Sequence, residues 1–115
     1  MNVLDNIRIV NFLDKCNVKN YTINNDLTID VDGNVDLDYK GLKTIPFQFG
    51  TVDGYFDISN NELTSLKGCP VECENLYCNN NKLTSLEHCT KCLDDFNCFN
   101  NAVVFYEEEI NEYLK

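Results

Sequence analysis

The sequence predicts an α/β solenoid: a short stack of about four turns of about 20 residues, closed by a helical cap at each end. Three observations predict it. The first is a repeat: the run from Phe56 to Pro70 recurs one period later, from Leu76 to Thr90, with Asn-Asn-x-Leu-Thr-Ser-Leu-x-x-Cys kept residue for residue. A third copy opens at Phe96-Asn97-Cys98-Phe99-Asn100-Asn101 and then breaks off, and a degenerate copy from Val35 to Pro46 lies one period upstream. A fixed period of this length marks a stack of like units, because one such unit cannot bury its own apolar face. The second is alternation within each copy, which points Phe56 and Ile58 inward and Asp57 and Ser59 outward along a short strand. The third is composition: 18 of the 115 residues are Asn, and Asn61, Asn81 and Asn101 all fall at the corner after the strand. A short amide there can pair backbone N–H and C=O groups that the stack would otherwise bury unpaired. Asn60 and Asn80, beside them, suit the turn itself.

In chain order, residues 1–34 form the first cap. Residues 2 to 16 place Val3, Leu4, Ile7, Val10 and Leu13 at helical spacing, with Asp5, Asn6, Asn11 and Asp14 elsewhere, which reads as an amphipathic helix. Thr22-Ile23, Leu27 to Val31 and Val35 to Leu37 then alternate, and Asp32-Gly33-Asn34 reads as a hairpin turn between the last two. Residues 35–105 are the repeats. Residues 106–115 form the second cap, on a helix over 103–114 with Tyr106, Ile110, Tyr113 and Leu114 on one stripe against Glu107, Glu108, Glu109 and Glu112. With both raw ends covered, the chain reads as one complete small domain, and its length is enough to fold without covalent staples.

The pattern L-x-L-x-x-N-x-L-x-x-L, filled by Phe56, Ile58, Asn61, Leu63 and Leu66 and again by Leu76, Cys78, Asn81, Leu83 and Leu86, resembles the leucine-rich repeat. The run Asn-Asn-x-Leu-Thr-Ser-Leu-x-x-Cys more narrowly resembles short leucine-rich repeat proteins of bacteria and their phages. The resemblance covers about residues 35 to 105. It implies a scaffold on which many different sites can be grafted, so it is specific for fold and weak for function.

Charge and composition narrow the function classes. With 19 acidic against 9 basic residues and a formal charge of −10, the chain repels phosphate, which argues against direct contact with nucleic acid or an anionic membrane. No stretch reaches the roughly 18 apolar residues of a membrane span, and Asp5, Arg8 and Asp14 interrupt the place where a signal peptide keeps its apolar centre. A cytoplasmic protein is expected, in the host cell cytoplasm if phage-encoded. Seven Cys is an odd number, and without a signal peptide it argues against an extracellular disulfide framework.

The cysteines divide by repeat position. Cys78 and Cys98 take the inward slot of Ile58 and read as small core hydrophobes. Cys69, Cys73, Cys89 and Cys92 read first as thiols filling a narrow wall. C-x3-C followed within one period by C-x2-C is also near zinc-ribbon spacing, and adjacent turns would stack the four, so structural zinc and disulfides stay open as alternatives. No metal or cofactor is otherwise expected, although a Ca2+ site among the strand aspartates is conceivable.

No catalytic constellation stands out. His88 lies alone in a turn, there is no glycine-rich phosphate loop, and Asp30, Asp32, Asp36, Asp38 and Asp57 alternate outward as on any exposed strand. A non-enzymatic protein is expected. Its candidate surface is the outward strand face: Asp36 and Asp38, then Asp57 and Ser59, then Tyr77 and Asn79, then Asn97 and Phe99. One end is acidic and the other aromatic. This suggests a protein-interaction module with Tyr77 and Phe99 as anchors and a partner with a basic surface. The alternative is an acidic nucleic-acid mimic that blocks a CRISPR or other defence nuclease, as a phage counter-defence protein would. The bland readings are a solvated acidic face, an ordinary exposed Tyr77, and a C-terminal helix folded over Phe99. Self-association through a bare strand edge is a third possibility, and the oligomeric state is not legible.

Overall fold

Parallel pairing between strands one repeat apart requires the chain to return to the same side of a coil once in every period. In the computed structural model, which describes residues 3–114, it does so. Strands β2 (Ile29–Val31) and β3 (Val35–Asp36) run parallel to β4 (Phe49–Asp57), β4 runs parallel to β5 (Glu72–Tyr77), and β5 pairs with β6 (Lys91–Cys92) and β7 (Phe96–Asn97). Ile29 faces Phe49, Val52 faces Cys73 and Cys73 faces Cys92, each pair one repeat period apart. Four strand passes bound about three complete turns of a β-solenoid. The repeat spacing predicts about four; the difference arises because the copy that opens at Phe96 breaks off after its strand and closes no further coil.

Each pass consists of two straight segments meeting at a corner. In β4 the register slips between Val52 and Tyr55. A Cβ at Gly54 would collide with Asn34 Oδ1 and stand 2.9 Å from the Gly33 carbonyl, so only glycine lets the two corners stack. The corner below it is Asp32-Gly33-Asn34. That segment is not the expected hairpin turn, because β2 and β3 continue in the same direction and both lie along β4. Val31 and Val35 find parallel partners in Val52 and Phe56, and burying both valines outweighs the local turn preference. The hairpin forms one step earlier, where β1 (Tyr21–Ile23) pairs antiparallel with β2 around a turn closed by Asn24 N–H to Thr28 O at 2.8 Å.

The core runs along the stack axis through Val35, Phe56 and Leu76 on the strand side and Leu63, Leu66, Leu83 and Leu86 on the return legs, all at 0% exposure. Phe49 meets Phe56 edge to face, with centroids 4.9 Å apart. Among the described residues the repeats contain no helix, which reduces the expected α/β coil to a β-solenoid with helices only near the chain ends. The return legs are too short to meet the cost of helix nucleation. Ser65 and Ser85 instead close local turns on the N–H groups of Lys67 and Glu87.

The two helices also differ from expectation in their faces. α1 (Val3–Lys15) buries Ile9 and Leu13, with Phe12 and Cys16 packed beside them, while Val3, Leu4 and Ile7 are exposed. The ring of Phe12 meets Phe47 edge-on at 5.7 Å, which favours the Ile9-Phe12-Leu13-Cys16 stripe over the one starting at Val3. α2 (Glu107–Tyr113) is shorter than the expected 103–114 and buries no residue; Ile110 and Phe105 are half-buried against the core, and Tyr106 and Tyr113 face solvent. Positions 1, 2 and 115, at the outer limits of the expected caps, lie outside the described residues.

Candidate functional site: the outward strand face

The second segment of each pass presents alternate side chains outward, and the register stacks them in rows. Asp36 lies beside Asp57, Asp57 beside Tyr77, and Tyr77 beside Asn97. Tyr55 lies beside Asn75 in the next row. Asp38, Ser59, Asn79 and Phe99 occupy the positions two further along each pass. Three of these passes share a small local motif: Asp36 Oδ1 accepts from Asp38 N–H at 3.1 Å, Asp57 Oδ1 from Ser59 N–H at 2.9 Å, and Asn97 Oδ1 from Phe99 N–H at 3.0 Å. Such turns fix the backbone where the face ends.

Asp36, Asp38 and Asp57 converge so that one carboxylate oxygen from each lies within 4.8 Å of the others. Asp38 is held up at about 6, first by its side-chain hydrogen bond to Asp36, then by partial burial and the charges of Asp36 and Asp57, with Lys40 opposing. Oxygen donors in this arrangement suit a hard cation, which would still need several waters to complete its shell. The raised value also fixes a sign. Between about pH 4 and pH 6 the folded chain binds more protons at Asp38 than the unfolded chain does, so its contribution to stability falls as pH rises through that window. Asp38→Asn, which mimics the protonated form, is expected to raise the melting temperature at pH 7.5 and to leave it almost unchanged at pH 4. Melting curves of both proteins at the two pH values check this; an equal difference at both would contradict it.

Beyond the acidic corner the face becomes aromatic. Tyr77 is half-buried against Tyr55, with centroids 6.2 Å apart and planes at 45°, and burial followed by the surrounding carboxylates raises both phenols. Phe99 is 74% exposed and borders a depression of about 350 Å³ with Cys98, Asn100, Val103, Val104 and Phe105. Asn79 and Asn97 are half-buried between these aromatics. Ser59 stands apart: it is buried, and its hydroxyl donates to Asp57 Oδ1 at 2.6 Å, so it orients an aspartate and offers nothing to solvent.

Sequence reasoning passes over Tyr55, although it lies two positions before Asp57 on the same side of the strand. It also passes over a second acidic surface. Asp53, Glu72, Glu74 and Asp94 surround a depression of about 370 Å³ floored by Val52 and Leu93. That surface depends on the corner at Asp53-Gly54, which alternation alone does not show. Asp30 turns out to be structural, since its Oδ1 accepts from Thr51 N–H at 2.8 Å.

Behind the face, the corner amides are saturated. Asn61 Oδ1 accepts from the N–H groups of Lys40 and Leu42, and its Nδ2 donates to the carbonyls of Leu37, Ile58 and Ser59. Asn81 accepts from Leu63 N–H and donates to Ile58, Cys78 and Asn79. Asn101 accepts from Leu83 N–H and donates to Cys78, Cys98 and Phe99. Asn60, Asn80 and Asn100, with φ of 57°, 57° and 56°, take the left-handed conformation that Asn tolerates better than most residues.

All seven cysteines are free thiols. Cys78 and Cys98 are buried in the inward slot. Cys69, Cys73, Cys89 and Cys92 come together at the side of two adjacent turns, with Cys73 and Cys92 paired in register. Burial pushes the Cys69 thiol up, and pushes Cys89 up to about 12. Cys73 is raised first by its interaction with the adjacent Cys92 thiol and then by burial, and Cys92 is lowered by the same interaction. His88 is exposed, with φ of 68°, and borders a depression of about 280 Å³ together with Cys69 and Cys89. Among the described residues no helix is long and apolar enough to cross a membrane. Comparison with protein-family models, with curated proteins and with solved structures gives no match to this chain.

Proposed function

We propose that the protein is a non-enzymatic interaction module that docks a protein partner on its outward strand face. The observation that carries this reading is the juxtaposition on one face of three clustered carboxylates, a tyrosine pair and the exposed ring of Phe99. An aromatic in an outward slot has no core to fill, and aromatics next to a charged cluster are common anchors in interfaces. The carboxylates would set orientation and on-rate toward a basic surface. In the same reading the coil is of the leucine-rich repeat type, the helices cover its end rungs, and the protein works in the cytoplasm as a phage-type counter-defence protein. A second reading, an acidic mimic that occupies the nucleic-acid groove of a defence nuclease, draws on the same three carboxylates and on the net charge of −10.

Affinity capture from bacterial lysate, followed by kinetics on the purified partner, separates the two. For the interaction module, Phe99→Ala or Tyr77→Ala should weaken binding by about 2 kcal/mol, roughly 30-fold. The combined change Asp36→Asn, Asp38→Asn and Asp57→Asn should then mainly slow association. For the mimic, the triple change should abolish binding and added salt should weaken it steeply. Capture of the same partner, undiminished, by all of these variants would refute both readings.

A further inference from the structure

We propose that Cys69, Cys73, Cys89 and Cys92 form a tetrathiolate site for a thiophilic d10 cation, with Zn2+ as the natural occupant, clasping two adjacent turns of the coil. Each turn supplies one sulfur from the end of its return leg and one from the strand that follows. Cys69 and Cys89 hold the same repeat position, and their N–H groups donate to Leu66 O and Leu86 O, both at 3.0 Å. Cys73 and Cys92 are register partners on β5 and β6, and strands in register lie about 4.8 Å apart. The thiols of Cys89 and Cys92 both donate to the carbonyl oxygen of Thr90 at 3.6 Å, which brings the two sulfurs to one point of the backbone, and the Cys73 thiol donates to Asn75 O at 3.3 Å; these are the protons that a bound cation would displace.

Two further observations separate this group from thiols that only fill space. Cys78 and Cys98 point into the apolar interior, as core fillers should; of the four, Cys69 and Cys73 are buried as well, whereas Cys89 and Cys92 remain half-exposed at the wall. The depression lined by Gly68, Cys69, Pro70, His88 and Cys89 gives an ion a way in. Second, Thr90 lies between the two cysteines of the upper turn at 0% exposure, and its hydroxyl oxygen has no hydrogen-bond partner. A buried hydroxyl without a partner calls for an explanation. The Thr90 hydroxyl lies near the Cys69 sulfur without a hydrogen bond to it; a neutral thiol is a poor acceptor, whereas a metal-bound thiolate is a strong one, and such outer hydrogen bonds are a regular part of sulfur sites. Four sulfurs at about 2.3 Å from one ion lie roughly 3.8 Å apart. As free thiols these stand wider, since among the described residues only the Asp36, Asp38 and Asp57 group already meets within 4.8 Å. Cys89 and Cys92, being half-exposed, are the two with room to turn about χ1 toward the others. All-sulfur tetrahedral coordination selects zinc over the oxygen-seeking cations.

The test uses the full, reduced chain without oxygen. Titration with Co2+ should give a saturable one-to-one complex with thiolate charge-transfer absorption and the strong visible bands of tetrahedral cobalt, displaced by one equivalent of Zn2+. In the zinc-loaded protein, alkylation should spare Cys69, Cys73, Cys89 and Cys92 while modifying Cys16. Cys89→Ser and Cys92→Ser should each weaken zinc retention at least tenfold in competition with a chelator, and Cys16→Ser should leave it unchanged. Absence of a one-to-one complex, cobalt bound without thiolate absorption, equal weakening by Cys16→Ser, or loss of binding on changing Asp36, Asp38 and Asp57 to Asn would each overturn the proposal. If a serine variant fails to fold, the cobalt spectrum and the alkylation pattern of the unaltered chain decide it.

Discussion

Replacing Phe56 by Ala is expected to cost about 3–5 kcal/mol of folding stability, the range for truncating a fully buried aromatic. Phe56 is at 0% exposure, lies between Val35 and Leu76 in register, and packs its ring edge-on to Phe49. Its loss therefore opens a void between consecutive turns. In a coil whose units contact only their neighbours, a rung in the middle supports both sides, whereas a rung at the end supports one. Phe96, its counterpart two turns later, is only half-buried. Phe96→Ala should accordingly cost about half as much. Urea unfolding of both variants measures the contrast. Equal costs would show that stability does not pass from turn to turn through this row.

The second large effect is expected at Asn81. Its side chain accepts from Leu63 N–H at 3.0 Å and donates to Ile58 O at 2.9 Å, and both contacts are buried. Asn81→Ala leaves these groups without partners and should cost about 1–3 kcal/mol. Asn81→Asp should be worse than Ala, although it is closer in shape. A carboxylate can still accept from Leu63, but it would turn oxygen toward the carbonyls of Ile58, Cys78 and Asn79, where only a donor fits. Below the range in which it ionises, the Asp variant should recover part of the loss by donating one O–H bond. Thermal melts of the three proteins at pH 7 and pH 4 provide the check. An Asp variant as stable as the original at pH 7 would mean that the amide does not bridge the turns.

The same contacts explain why some of this structure is legible in the sequence. The repeat period, the inward positions of Phe56, Ile58, Leu63 and Leu66, and the corner amides all recur, and a repeated contact writes itself into the sequence several times. The acidic surface around Asp53 is harder to see, because the corner between the two segments of the pass inserts residues unevenly, with Asp53 and Gly54 opposite Glu74 alone. Such a slip leaves the alternation within β4 intact from Val52 onward but changes which residues of the next turn lie beside it. The stripe on α1 is misjudged for a related reason. Apolar residues occur on more than one side of that helix, and only the ring of Phe47 on a distant loop selects Ile9, Phe12, Leu13 and Cys16.

Local and periodic properties therefore part from spatial ones. A stack of like turns, an amide at every corner and an excess of negative charge can all be read from the chain without coordinates, because each is local or returns at a fixed interval. Which charges meet is settled by the folded coil. Asp36 and Asp57 stand a full period apart along the chain and become neighbours across one strand pair, which adds the charge of Asp57 to the local hydrogen bond with Asp36 and the partial burial that first raise Asp38. Cys73 and Cys92 likewise meet only through register. Charge and sulfur chemistry depend on distance in space, and in a coil that distance is set by how each turn lands on the one before it.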